Sequence, residues 1–234
     1  MTTPSNILRT AVAPLDSATL TSRMALAAAF MVLLMLGIFI VLGVGQDPLQ
    51  YMHSSSDYTA VLLKDPPVLR ATIGLDNMFI VLYSTMFLAL GIAVWNSTPS
   101  RPLLIAGSSL IGVSAVLDLL ENMHFLSMIS MAVLGQNISS THIELQVWES
   151  LVKFHVSYLA LFMLGFALPT KTRLEMALCI TLRWVQLPIG LLIYLVPAEW
   201  AKPLVFGRFT FFLVALLLLW AIFRRQRSGS GALV

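Results

Sequence analysis

The stretch "VLDLLENMHFLSM" sets Asp118, Glu121, Asn122 and His124 within seven positions of an otherwise apolar run, Pro102–Leu134. The next run, His142–Pro169, carries His142, Gln146, Glu149, Lys153 and Ser157. Carboxylates, an imidazole and an amine are the groups that bind polar ligands or relay protons. Their N and O donors also suit a divalent metal such as zinc.

At about 100° per residue, Asp118, Glu121 and Asn122 share one helix face, with His124 about 60° round from Glu121. His142, Gln146, Glu149, Lys153 and Ser157 likewise form one stripe, and His155 points away from it. Counted from Pro102, Asp118 lies about 24 Å along its helix, and Lys153 reaches the same height counted back from Pro169 on an antiparallel neighbour. The spacing therefore predicts a structural Asp118–Lys153 ion pair, and sets Asn122 near Glu149. In "GLDNMF", Asp76 and Asn77 enter at a similar height. The candidate ligand-binding set is Asp76, Asn77, Asp118, Glu121, Asn122, His124, Glu149 and Lys153. Glu121, His124 and Glu149 are the candidate catalytic and metal-ligating groups, although no HExxH or HxxxH pairing accompanies them.

Composition dictates what positions these groups. Of 234 residues, 58% are hydrophobic and 11% charged, and mean hydropathy is +0.88. A soluble domain would carry about 25% charged residues. An all-α, polytopic transmembrane helix bundle follows, with six spans at about 24–45, 73–95, 102–134, 142–169, 174–196 and 203–223. The first run is too long for a signal h-region and reads as a retained span. Residues 1–23 are expected to form a cytoplasmic N-terminal segment and residues 224–234 a cytoplasmic tail, flexible after Arg227 in "SGSGALV". "STHIE" predicts Thr141 as a helix cap with Glu144 three residues on. The segment 46–71, with "DYTAVLLK", is expected to lie on the membrane surface or to cap the bundle.

With the N-terminus inside, eight loop Lys and Arg residues, among them Arg9, Arg23 and Arg101, fall on the cytoplasmic face against three outside. That bias predicts N-in, C-in topology in a plasma membrane, such as the bacterial inner membrane. The +3 net charge is explained by these loops and gives no reason to infer nucleic-acid binding. The single Cys179 excludes an internal disulfide framework.

Three readings stand at this stage. In the first, a carboxylate- and His-lined pocket in the outer half of the bundle binds a small polar or amphipathic ligand, or a divalent metal, with or without acting on it. In the second, the same groups serve a proton- or ion-coupled transporter. In the third, the polar stripes recognise a membrane-protein partner in a larger complex. The lipid bilayer is a partner in all of them.

Overall fold

The computed structural model describes residues 16–51 and 53–230. Residues 1–15, with Arg9, and 231–234 of the tail lie outside the described residues. Among the described residues the chain is all-helical, without strands. Six helical stretches are long and apolar enough to cross a membrane. The elements are α1 (Ser17–Leu42), a 3₁₀ turn (Asp47–Gln50), α2 (Ser55–Leu63), α3 (Pro66–Val94), α4 (Arg101–Val133) and α5 (Ser140–Ala167). They are followed by α6 (Arg173–Ile180), a π-helical turn (Thr181–Gln186), α7 (Leu187–Leu192) and α8 (Ala198–Ser230). α6, the π turn and α7 together make one of these six stretches, each called a crossing below. Large apolar side chains such as Val81, Ile92, Val116 and Met123 face outward, so the perimeter suits lipid contact.

Polar residues set the helix ends beyond the apolar runs. Asp16 caps α1, accepting from Thr19 N at 2.8 Å, and carries the helix start well ahead of the run at Met24. Ser139, not Thr141, caps α5, because its hydroxyl accepts from His142 N at 3.3 Å. The reciprocal capping box lies instead at Thr172 and Glu175, at the start of α6. Each such cap is worth about 1 kcal/mol. α8 begins at Ala198, takes Pro203 into its interior and runs on to Ser230, so residues 228–230 are helical rather than a loose tail.

The crossings pack in a closed ring that follows chain order. α1 packs on α3, α3 on α4, α4 on α5, α5 on the α6–α7 crossing, that crossing on α8, and α8 on α1. Among the described residues, helix backbones do not approach one another across the ring, and only side chains reach over it, such as Phe79 of α3 to Phe212 of α8 and Arg208 of α8 to Tyr158 of α5. Both described chain ends therefore lie at the same end of the bundle, where Ser22 Oγ donates to the Trp220 carbonyl at 3.3 Å. This end is sealed by one apolar cluster that joins Ala25, Ala28 and Ala29 of α1 to Leu164 of α5 and Leu216 and Leu219 of α8.

The opposite end is built differently. α2 caps it by packing on α3, α4 and α5, with Tyr58 and Leu62 fully buried. Beyond Val32, by contrast, α1 buries no further residue as far as Leu42. A Cβ placed on Gly37 would meet nothing within 4 Å. The ring is thus tight at one end and loose between α1 and its neighbours at the other.

Candidate functional site

Facing positions on α4 and α5 form a ladder of polar rungs. Ser114 and Ser157 share a hydrogen bond of 2.6 Å. Lys153 Nζ stands 2.8 Å from Asp118 Oδ1 and also bonds the Glu121 carboxylate. Ser150 donates to the other oxygen of Glu121. One turn further, His124 Nδ1 meets Glu149 Oε2 at 3.0 Å. The stripes inferred from periodicity meet because antiparallel helices bring these positions level.

The ladder continues into other elements. Tyr58 of α2 donates to Gln146 at 2.8 Å, and Gln146 donates to Ser150 at 2.7 Å. On the α3 side, Tyr83 donates to Asp118 at 3.0 Å. Asn122 donates to Asp76 at 2.7 Å and to Asn77 at 2.9 Å, so it is directed at α3 rather than at Glu149. Glu121, Asn122 and Gln146 are each 0% exposed. A buried carboxylate is tolerated only when paired and hydrogen-bonded, and Glu121 is both.

Inside the ring, toward the α2 end, lies a cavity of about 1100 Å³. Its walls are largely apolar, from Met35 and Phe39 of α1 through Phe79, Phe87 and Leu161 to Phe206 and Phe212 of α8. Asp76, Asp118 and Lys153 line it as one polar group. A second polar group lies on the wall made by α8, α5 and the α1–α2 connection, comprising Arg208 of α8, Tyr158 of α5, and Asp47, Gln50 and Tyr51 of the connection. Phe154 stands between the two groups, its ring centroid 4.5 Å from Lys153 Nζ and 4.0 Å from Arg208 Cζ. Both cations gain from the ring face.

Not every expected site residue reaches the cavity. Glu121, Asn77 and Asn122 stand behind its wall, holding the groups that do. His124 and Glu149 form a separate pair, beside which the exposed His142 ring lies 6.0 Å away. His155 bonds the Leu151 carbonyl at 2.8 Å. Among the described residues, no group of three or more His, Cys, Asp and Glu side chains is placed to hold a metal ion.

Arg208 is the main addition to the expected set. It is 4% exposed, and its Nη1 donates to Tyr158 at 3.4 Å. Asp47 Oδ1 faces its Nη2 at 3.6 Å, too far for a hydrogen bond. Burial pushes the Asp47 carboxyl above its ordinary value, and Arg208 partly offsets this. Burial, and next the Asp47 carboxylate, push the Tyr51 phenol up to about 12. Tyr51 therefore stays a neutral hydroxyl at physiological pH.

Two backbone features hold this wall. The π turn offsets α7 from α6, and within it Gln186 donates to the Arg208 carbonyl at 3.3 Å. Gly190 of α7 lets the Tyr158 ring lie against the helix, since a Cβ there would stand 2.3 Å from the ring. Single π turns inside helices recur at functional sites. The sequence signal for this one is weak, resting on Gln186 and Pro188.

The site belongs to a protein that is all-helical over its described residues, with six stretches long and apolar enough to cross a membrane and an interior cavity. No known protein family matches the chain, and neither a curated protein nor a solved structure shows significant similarity to it.

Proposed function

We propose that this protein binds an amphipathic small molecule inside the six-helix ring, within a plasma membrane such as the bacterial inner membrane, with both termini cytoplasmic. The observation that carries the reading is the cavity itself. Its volume of about 1100 Å³ is of the size that takes a drug-sized or lipid-like ligand. Its walls are aromatic and aliphatic, while Lys153 with Asp118 and Asp76, and Arg208 with Asp47, supply charge at separate places. Such a lining favours a ligand with an apolar body and a charged or polar head. Asp76, Asp118 and Lys153 contact it, Glu121, Asn77 and Asn122 hold that group in place, and the His124–Glu149 pair stabilises the α4–α5 seam.

The same cavity argues against proton or ion transport. Below Ser114 and Ser157 the described part of the ring closes on Ala28, Leu164, Leu216 and similar side chains, and a charge crossing there finds little to replace its water. Orientation rests on the loop charges: Arg101, Lys171, Arg224 and Arg225 all lie at the sealed end, which the positive-inside rule assigns to the cytoplasm.

The reading is tested by native mass spectrometry of protein taken gently from its membrane, followed by solvent extraction. A co-purifying amphiphile, lost when Leu161→Trp fills the cavity, is the expected result. Protein that retains no such molecule and takes up no added amphiphile refutes the reading. Reporter fusions after Ser230 and within the 46–54 connection test orientation, with only the first expected to be cytoplasmic.

A further inference from the structure

Buried polar side-chain atoms normally find hydrogen-bond partners. Around the cavity several do not, among them Gln46 Nε2, Gln50 Oε1 and, facing one another, Asp47 Oδ1 with Arg208 Nε and Nη2. All four residues line the cavity. The two orphaned Arg208 nitrogens are not an arbitrary pair. Nε and Nη2 occupy one edge of the guanidinium plane, where their N–H bonds run parallel. This is the edge that grips both oxygens of a carboxylate or phosphate at once. The remaining nitrogen, Nη1, is already committed to Tyr158.

The rest of the guanidinium is held rigidly. It lies 4.0 Å from the Phe154 ring and 4.8 Å from the Phe209 ring, and its helix is tied by Gln186. A preorganised cation with an open fork is a binding element for an oxyanion. Asp47 faces that fork at 3.6 Å without closing on it. It sits on a short 3₁₀ turn in the connection from α1 to α2, so an incoming acid group can displace it. Burial already disfavours its charged form.

The chain of such a ligand has a route. α1 and α8 join at the sealed end through Ser22 and Trp220, yet α1 buries nothing from Leu33 to Leu42. Met35 and Phe39 of α1, and Phe206 and Phe209 of α8, line the cavity on this side. Phe39 and Phe206 are also 40% and 54% exposed, so these rings form a rim between the cavity and the surroundings.

We propose that the cavity takes an acidic amphiphile, whose carboxylate or phosphate seats two oxygens on the Nε–Nη2 edge of Arg208 and whose alkyl chain enters between α1 and α8. This inference rests on the binding function proposed above and names its ligand class. It also assigns Asp47 a role, as an internal carboxylate that competes for the fork while the site is empty of acid.

The test uses the full-length protein in lipid nanodiscs and four probes: dodecanoate, dodecyl phosphate, dodecan-1-ol and inorganic phosphate. The two acidic amphiphiles are expected to bind about tenfold or more tightly than the alcohol, reflecting the charge-assisted fork. Arg208→Lys keeps the charge but loses the fork, and should cost about tenfold for the acids while leaving the alcohol unchanged. Asp47→Asn removes the competitor and should tighten acid binding, which keeps the proposal testable if Arg208→Lys fails to fold. Inorganic phosphate that binds as tightly as dodecyl phosphate overturns the amphiphile. Equal binding of acids and alcohol overturns the headgroup assignment but leaves the proposed binding function standing. If none of the dodecyl compounds binds, that function falls as well.

Discussion

Lys153 Nζ lies 2.8 Å from Asp118 Oδ1 while also bonding Glu121, so one α5 amine answers two α4 carboxylates. The two acids are not equivalent. The Glu121 side chain is 0% exposed, whereas Asp118 is 14% exposed and faces the cavity. Lys153→Met leaves the buried Glu121 carboxylate without a cation and is expected to destabilise the fold by about 3–5 kcal/mol. Adding Glu121→Gln should recover much of that loss, because an amide needs no counter-ion. Unfolding in graded SDS measures both, and equal loss in the single and double variants would show that Glu121 does not depend on Lys153.

The Gly190–Tyr158 contact predicts a second, sharper effect. In Gly190→Ala the new methyl group would stand 2.3 Å from the Tyr158 ring, so the ring must move. Overpacking of this kind costs about 1–3 kcal/mol. Because Tyr158 holds Arg208 Nη1, uptake of acidic amphiphile should fall more than the thermal midpoint does. Gly37→Ala, which would meet nothing within 4 Å, is the matched control and should change neither quantity.

The donor set around His124 predicts indifference to chelators. His124 is paired with Glu149, and Glu121 with Lys153 and Ser150, which leaves no set of three free N and O donors at one point of the kind a zinc site uses. Thermal midpoints with and without EDTA should coincide. His124→Ala breaks a pair only 16% and 22% exposed, and a partly solvated pair of this type is worth about 1 kcal/mol or less. A midpoint lowered by EDTA in wild type but not in His124→Ala would reinstate a metal there.

Asp47 makes stability depend on pH in a definite direction. Its carboxyl pKa is raised in the fold by burial, which outweighs the opposing pull of Arg208. Protonated Asp47 is therefore preferred by the folded state. The penalty for ionising it is absent below the ordinary carboxylate range, grows as pH rises through that range, and is complete above the raised value. The midpoint of wild type minus that of Asp47→Asn should fall as pH increases across this window. A difference that rises instead would mean that Arg208, rather than burial, dominates the environment of Asp47.

The polar stripes were legible in the sequence because helical period and antiparallel counting are local arithmetic. Asp118 meets Lys153 for that reason, and six apolar runs become six helical stretches long and apolar enough to cross a membrane. Asn122 was misdirected because its partners, Asp76 and Asn77, come from α3, and periodicity within two helices cannot rank a third. Arg208 was visible as a charge near the start of the last run, but its importance depends on Tyr158, Phe154 and Asp47, drawn from two other parts of the chain. The cavity had no signature at all. It exists because six crossings leave a centre that no helix fills, a property of the ring rather than of any segment.

That ring also has a bearing on biogenesis. Every crossing packs on the one made just before it and the one made just after, so the polypeptide can lay down its helices in order as it emerges, each finding its neighbour already in place. The exception is the seam between α1 and α8, which closes only after the four crossings between them are in place. Until α8 arrives, the Lys153 ladder faces an open groove, and Arg208 comes into place only with that helix. A chain halted before α8 would have the ladder but neither the wall nor the guanidinium, so the binding function proposed above predicts that no ligand is held until α8 is in place.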